Sequence, residues 1–207
     1  MSSRFDLNNK YNYTKSLKLR NITKIKNIIV NKIDEKQEIK RLMAYITQTP
    51  LSKVGITYDN KKVQQPDITE SLTQAGIQNM HECLIGYPFY NEMTSESYPM
   101  LFVHCDRATF DKYKNLAVYE YVVEVIVEYK QNKLKTPFMG ERGNEVLVEI
   151  ANLFDGYTLE GEESEGIGNI SFSIGDFTGF RLSKSNDFIV YRMIIQTTVG
   201  ATRVYDV

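Results

Sequence analysis

The chain has two histidines and two cysteines, and they fall in close pairs: His81 with Cys83, and His104 with Cys105. Thiolate and imidazole are ligands that zinc takes. The spacing argues against a zinc centre. His104 and Cys105 are neighbours in a stretch that reads as a strand, so they point to opposite faces. No C-x-x-C turn accompanies them. The same residues offer a thiol–imidazole nucleophile pair, but no nucleophile elbow and no oxyanion-hole glycine motif flanks them. The expectation is therefore structural cysteines, an ordinary histidine, no catalytic residue, no metal and no cofactor.

Carboxylates give the more distinctive pattern. From Ala117 to Tyr129 the residues alternate. One face carries Tyr119, Tyr121, Val123, Val125, Val127 and Tyr129, and the other carries Glu120, Val122, Glu124, Ile126 and Glu128. That is a long antiparallel strand buried on one side. Glu120, Glu124 and Glu128 stand about 13 Å from neighbour to neighbour at roughly 3.3 Å per residue. The row is either a solvated sheet face or, repeated around a ring, a negative wall that keeps passing DNA from sticking. Glu120, Glu124 and Glu128 are thus the lumen-facing candidates. Arg192 and Gln196, on one face of the last long strand, are placed to pair across to them.

Glu128-Tyr129-Lys130, with Pro66-Asp67 upstream, resembles the PD-(D/E)xK nuclease pattern. In that pattern carboxylates hold Mg²⁺ and a lysine stabilises charge near the attacking water. Asp67 or Asp106 with Glu128 would then be the ligands and Lys130 the helper. A Mg²⁺-dependent nuclease stands as the alternative reading. No Walker A loop, GxGxxG or HExxH occurs, and the Gly161–Gly168 stretch is too acidic to cradle phosphate.

These residues need elements to hold them. With 207 residues, 42% hydrophobic and 25% charged, the composition is that of a globular chain able to bury a core. No apolar run approaches the roughly 20 residues of a membrane helix, and Met1–Lys10 has no apolar signal region. Two cysteines fit a reduced, intracellular setting. The net charge of −1 is unevenly spread: residues 1–66 hold 14 Lys+Arg against 5 Asp+Glu, and residues 67–207 hold 11 against 21. A basic front and an acidic back fit an arm that meets an acidic partner.

Residues 1–16 read as loose and polar. Then Ile22, Ile25, Ile29 and Ile33, and after them Ile39, Leu42 and Ile46, mark one apolar helical stripe. A break is expected between Asn31 and Asp34, with Asp34 and Gln37 as a capping box for a second helix over 35–47. Its basic flank, Lys36, Lys40 and Arg41, supplies the candidate assembly-arm residues. Tyr58–Lys61 reads as a turn, and the composition shifts near Pro66. The chain therefore divides into a basic, mostly helical arm (1–66) and a sheet domain (67–207), the arm contributing little to folding of the sheet. Strands are expected over 83–89, 99–105, 117–129, 167–174, 177–182 and 188–199. A helix over 140–154 buries Val146, Leu147, Ile150, Leu153 and Phe154, with Gly156 as its cap. The class is α+β: a mainly antiparallel β-sheet with helices packed on one face, plus an N-terminal helical arm.

Residues 80–200 resemble phage tail-terminator and head–tail completion (neck) proteins. The matching pieces are Tyr98–Val103, Tyr119–Val127, Glu145–Ile150 and Phe188–Ile195. The resemblance implies a homo-oligomeric ring, usually of six subunits, that caps the tail tube at the head–tail junction while DNA passes through without sequence-specific binding. Its partners would be its own copies, the tail tube and other neck proteins, with no membrane and no reaction. The basic, helical first 66 residues depart from the compact members of that group, so another neck component, an adaptor or stopper, stands as an alternative. The place is the virion, assembled in the host bacterial cytoplasm. A third reading, from the charge split, is a binding module that uses the basic arm.

Overall fold

The computed structural model describes residues 4–45, 48, 50–51, 57–58, 61–62, 67–69, 71–72, 84–85, 99–111, 116–134, 140–160, 167–182 and 187–200. Side chains are described for these except within 4–18, 57–58, 61–62, 84–85 and 180–182. His81, Cys83, Ile46, Pro66 and residues 161–166 lie outside the described residues.

Two helices open the chain, α1 (Arg4–Glu35) and α2 (Gln37–Ala44). No Gly or Pro occurs before Pro50, so nothing breaks α1 early. Helix therefore runs through residues 4–16, where polar composition alone suggests a loose segment. The break falls at Lys36, and α2 has no side-chain cap. The expected capping box does not form, because Asp34 and Gln37 are drawn to another segment described below.

A short antiparallel pair follows, β1 (Thr57–Tyr58) with β2 (Lys61–Lys62), and the two central residues of the expected turn, 59 and 60, lie outside the described residues. Next come β3 (Leu84–Ile85), β4 (Met100–Asp111), β5 (Leu116–Glu128) and a one-turn helix α3 (Tyr129–Asn132). Then come α4 (Arg142–Phe154), β6 (Thr158–Leu159), β7 (Asn169–Leu182) and β8 (Phe188–Gly200). The main sheet runs β3-β4-β5-β8-β7-β6, with β3 parallel to β4 and all other pairs antiparallel. The strands expected over 167–174 and 177–182 are one strand, β7, with an irregularity between Ile174 and Phe177. Such a bulge absorbs one extra residue without ending the strand. Gly156, at φ +72°, follows α4 in the left-handed conformation that glycine adopts freely.

One face of the sheet carries the core. Tyr119, Tyr121, Val123, Val125 and Val127 of β5 are fully buried there with Met193 and Ile195 of β8. Against them pack Ile25, Ile29 and Ile33 of α1, Ile39 and Leu42 of α2, and Val146, Ile150 and Phe154 of α4. Tyr121 donates its hydroxyl proton to the Ile22 carbonyl at 2.8 Å, pinning α1 to the sheet. The boundary expected at Pro66 is thus bridged, since residues from both sides of it share one core.

β5 is buried on both faces over its centre, which corrects the one-sided expectation. On the far face Phe102, Ile126 and Val190 form a second, smaller apolar cluster with Met100 and Phe188.

Candidate functional site

Glu120, Glu124 and Glu128 lie on the face of β5 turned away from the core helices, as alternation demands. The register sets Glu120 opposite Gln196, Glu124 opposite Arg192 and Glu128 opposite Phe188. Gln196 Nε2 donates to Glu120 Oε1 at 3.5 Å, as the cross-strand register places them. Glu128 accepts from Gln131 Nε2 at 3.1 Å. The row is not evenly solvated. Glu124 is only 7% exposed, set between Phe102 and Arg192 on the neighbouring strands. Among the described residues, the Arg192 Nε and His104 Nδ1 on the same face are buried without a hydrogen-bond partner.

The basic flank of α2 is turned into the chain. Lys36 pairs with Glu38 at 3.5 Å and with Glu149 of α4 at 3.7 Å. Lys40 and Arg41 are buried. Lys40 Nζ lies 4.0 Å from Asp34 Oδ1, and Arg41 forms an ion pair with Asp67. Asp34 accepts from Ser71 Oγ and from the Leu72 N–H, both at 2.6 Å. Gln37 donates to the Ile68 carbonyl at 2.8 Å and accepts from its N–H at 3.0 Å. The α1–α2 corner therefore grips Asp67, Ile68, Ser71 and Leu72.

This geometry breaks up the expected nuclease constellation. Asp67 is committed to Arg41. β5 ends at Glu128, and Lys130 lies in α3, so the two do not share a strand face. Asp106 is exposed on β4. Among the described residues no group of three or more His, Cys, Asp or Glu is placed to hold a metal. His104 and Cys105 are neighbours in β4, and the Cys105 thiol donates to the Arg107 carbonyl at 3.4 Å. Burial raises the pKa of that thiol, which keeps it protonated.

A buried polar joint had no sequence signal beyond its position at the start of an apolar helix. Arg142 is fully buried and donates to three carbonyls: Gln131 at 2.9 Å, Tyr45 at 2.8 Å, and Leu42. Burial lowers its pKa to about 10. Asn132 donates to the Tyr191 hydroxyl at 2.7 Å and accepts the Gly143 N–H at 3.1 Å. The Tyr191 hydroxyl in turn donates to Glu141 Oε2 at 2.7 Å. A Cβ at position 143 would come within 2.1 Å of the Tyr191 ring, so the close approach of α4 to β8 requires glycine. The joint ties α2, α3, α4 and β8 together.

No curated protein matches the sequence. Among solved structures, a chain from the virion of a native gene transfer agent particle is similar at 13% identity and a TM-score of 0.38. The alignment covers 57% of this chain and 79% of that one. A family match begins at the N-cap of α2 and ends near the close of β8: residues 36–197 match the YomW family, and the chain belongs to it.

Proposed function

We propose that the protein is a structural component of a tailed-phage virion, a ring subunit at the head–tail junction that ends the tail tube and lets DNA pass. The supporting observation is the element order over 100–200. A long strand pair is followed by a core-facing helix and a second long strand pair, all with helices on one face. That is the pattern on which the resemblance to tail-terminator and neck proteins rests. The mechanism is assembly, with no reaction and no cofactor. Partners are further copies of the chain, the tail tube and other neck proteins. In the ring, Glu120 and Glu128 supply the part-exposed negative charge of the far face, and like charge repels passing DNA phosphates.

The test is native mass spectrometry of the purified protein, alone and with isolated tail tubes. The expected species is six copies of the 23.9 kDa chain, formed freely or at tube ends. A monomer that ignores tail tubes overturns the reading. So does Mg²⁺-dependent cleavage of DNA that disappears in Glu128→Ala.

A further inference from the structure

The residues first expected to grip a neighbour, Lys36, Lys40 and Arg41, are engaged within the chain. The main sheet offers another surface at its two margins. β4 pairs with β3 only at Leu101 and Phe102, yet it runs on to Asp111. β7 pairs with β6 only at Ile170 and Ser171, yet it runs on to Leu182. Among the described residues, no strand pairs with the outer side of β4 past Phe102 or of β7 past Phe172.

Unpaired strand edges invite another strand, and bulges and charges blunt them. Both devices occur here, and both stop short. β4 is irregular between Cys105 and Arg107, where Asp106 and Arg107 are exposed. β7 is irregular between Ile174 and Phe177, where Asp176 is exposed. Past these points come the uncharged stretches Ala108-Thr109-Phe110 on β4 and Phe177-Thr178-Gly179 on β7. Thr109, Thr178 and Gly179 are exposed, as are Phe110 by 37% and Phe177 by 49%. The faces agree as well. Phe110 stands opposite Ala117 and Phe177 opposite Met193, both on the face that carries the helices. Thr109 stands opposite Val118 and Thr178 opposite Arg192, both on the far face. Three antiparallel steps separate β4 from β7, so the two strands run in opposite directions. A second copy set beside the first with the same side up therefore presents its β4 antiparallel to β7, and the sheet continues with all helices on one face.

We infer that β7, past its bulge, pairs with β4 of a second copy of the chain: Phe177 opposite Phe110, Thr178 opposite Thr109 and Gly179 opposite Ala108. Aromatic pairs and threonine pairs are favourable across strands. The pairing also takes two exposed phenylalanine rings out of water. The two edges differ, so each copy uses one edge on each side, and such head-to-tail contacts make a ring when the rotation closes. The inference rests on the ring reading above and names the contact that builds it.

The experiment puts cysteines at the paired threonines of the full chain, with Cys83→Ser and Cys105→Ser removing the native thiols. Thr109→Cys and Thr178→Cys are made together and singly, and each chain is treated with a short thiol-bridging reagent, alone and with tail tubes. The double variant is expected to give a ladder of covalently joined chains, and neither single variant is expected to give joined chains. Phe177→Lys is followed beside them by sedimentation and thermal unfolding. It is expected to melt within about 2 °C of the unaltered chain, because Phe177 is half exposed. It is expected to assemble only at about tenfold higher concentration or above. The ladder is the deciding readout, and it stands even where Phe177→Lys fails to fold. An unaltered chain that assembles while the double variant gives no ladder overturns the contact and leaves the ring standing. Joined dimers from Thr178→Cys alone also overturn it, because β7 then pairs with itself. A chain that never assembles, with or without tubes, removes the ring and the contact together.

Discussion

Two polar joints fasten the helices to the rest of the molecule, and they are built differently. At the first, Arg142, Asn132, Gly143 and Tyr191 are all buried, and Arg142 donates to backbone carbonyls. At the second, the α1–α2 corner holds Asp67, Ile68, Ser71 and Leu72 through side chains at a partly wet surface. There the Arg41 side chain is 5% exposed and that of its partner Asp67 is 66% exposed. In the first joint a lost donor leaves acceptors stranded away from water. In the second, water can take the place of a lost partner on one side. The difference is one of desolvation more than of bond count, and stranded groups weigh more than lost pairs.

Arg142→Met tests the first joint hardest. It keeps much of the apolar stem and strands the carbonyls of Gln131, Leu42 and Tyr45. We expect a loss of about 3–5 kcal/mol, the range for breaking a buried charged network. Chemical denaturation measures it. A loss under about 1 kcal/mol would break the comparison, since the buried joint would then weigh no more than an ordinary surface substitution.

Alkaline pH separates the joints next. Burial raises the Tyr191 pKa, and its hydrogen bond to Glu141 raises it further. A group whose folded pKa lies above its unfolded value keeps its full contribution below the unfolded pKa, near 10. It loses that contribution as pH climbs above 10. Tyr119, pushed up to about 12 chiefly by burial, and Tyr121, raised chiefly by burial, act in the same direction. Arg142, lowered to about 10, acts the opposite way over the same window, because folding favours its neutral form. Three tyrosines against one arginine leave a net fall, at most about 1.4 kcal/mol per pH unit for each unbalanced group. Denaturation midpoints taken from pH 9 to 11.5 should decline, and Tyr191→Phe should flatten the decline. No tyrosine takes part in the described bonds of the second joint, so amide exchange at Leu72 should follow the global loss and not precede it.

How much of this could be read from sequence differs between elements for a physical reason. The stripe Ile25, Ile29, Ile33, Ile39 and Leu42 was legible because helical period and burial coincide. So were β5, α4 and β8, where apolar positions recur at a fixed step. The acidic row was placed on its face correctly, and its pairing with Gln196 followed from strand alternation. Burial of Glu124 was not legible, because the apolar cluster beside it draws Phe102 and Val190 from strands distant in sequence. The capping box failed for a similar reason. Local spacing of Asp34 and Gln37 offered a cap, but Ser71, Leu72 and Ile68 competed for the same atoms from over 30 residues away. Pro66 looked like a boundary because charge shifts there, yet charge describes the surface and the shared core lies beneath it. Gly143 shows the same limit: its need for glycine comes from a tyrosine ring 48 positions on.

Asp34→Ala probes the second joint at its best-bonded residue. The Leu72 N–H and the Ser71 hydroxyl lose their acceptor, and Leu72 is fully buried. We expect a loss of about 1–2 kcal/mol, set by one stranded backbone donor more than by the carboxylate charge. Amide exchange at Leu72 should accelerate well beyond the global change. If the loss matches that of Arg142→Met, the two joints are energetically alike and desolvation does not distinguish them.

Lys36→Ala should do least. Its partners Glu38 and Glu149 lie at 3.5 and 3.7 Å, and the Lys36 side chain is 33% exposed, so water and salt screen both pairs. A change within about 0.5 kcal/mol is expected, vanishing at high salt, as for other surface ion pairs. Thermal unfolding at low and high salt measures it. A larger loss would mean that the tie between the α1–α2 corner and α4 carries weight, which would move the second joint toward the first. A chain that melts normally but no longer assembles would place Lys36 between copies after all. That result would sharpen the contrast in another way, because a joint that water can enter is also one that a neighbouring copy can enter.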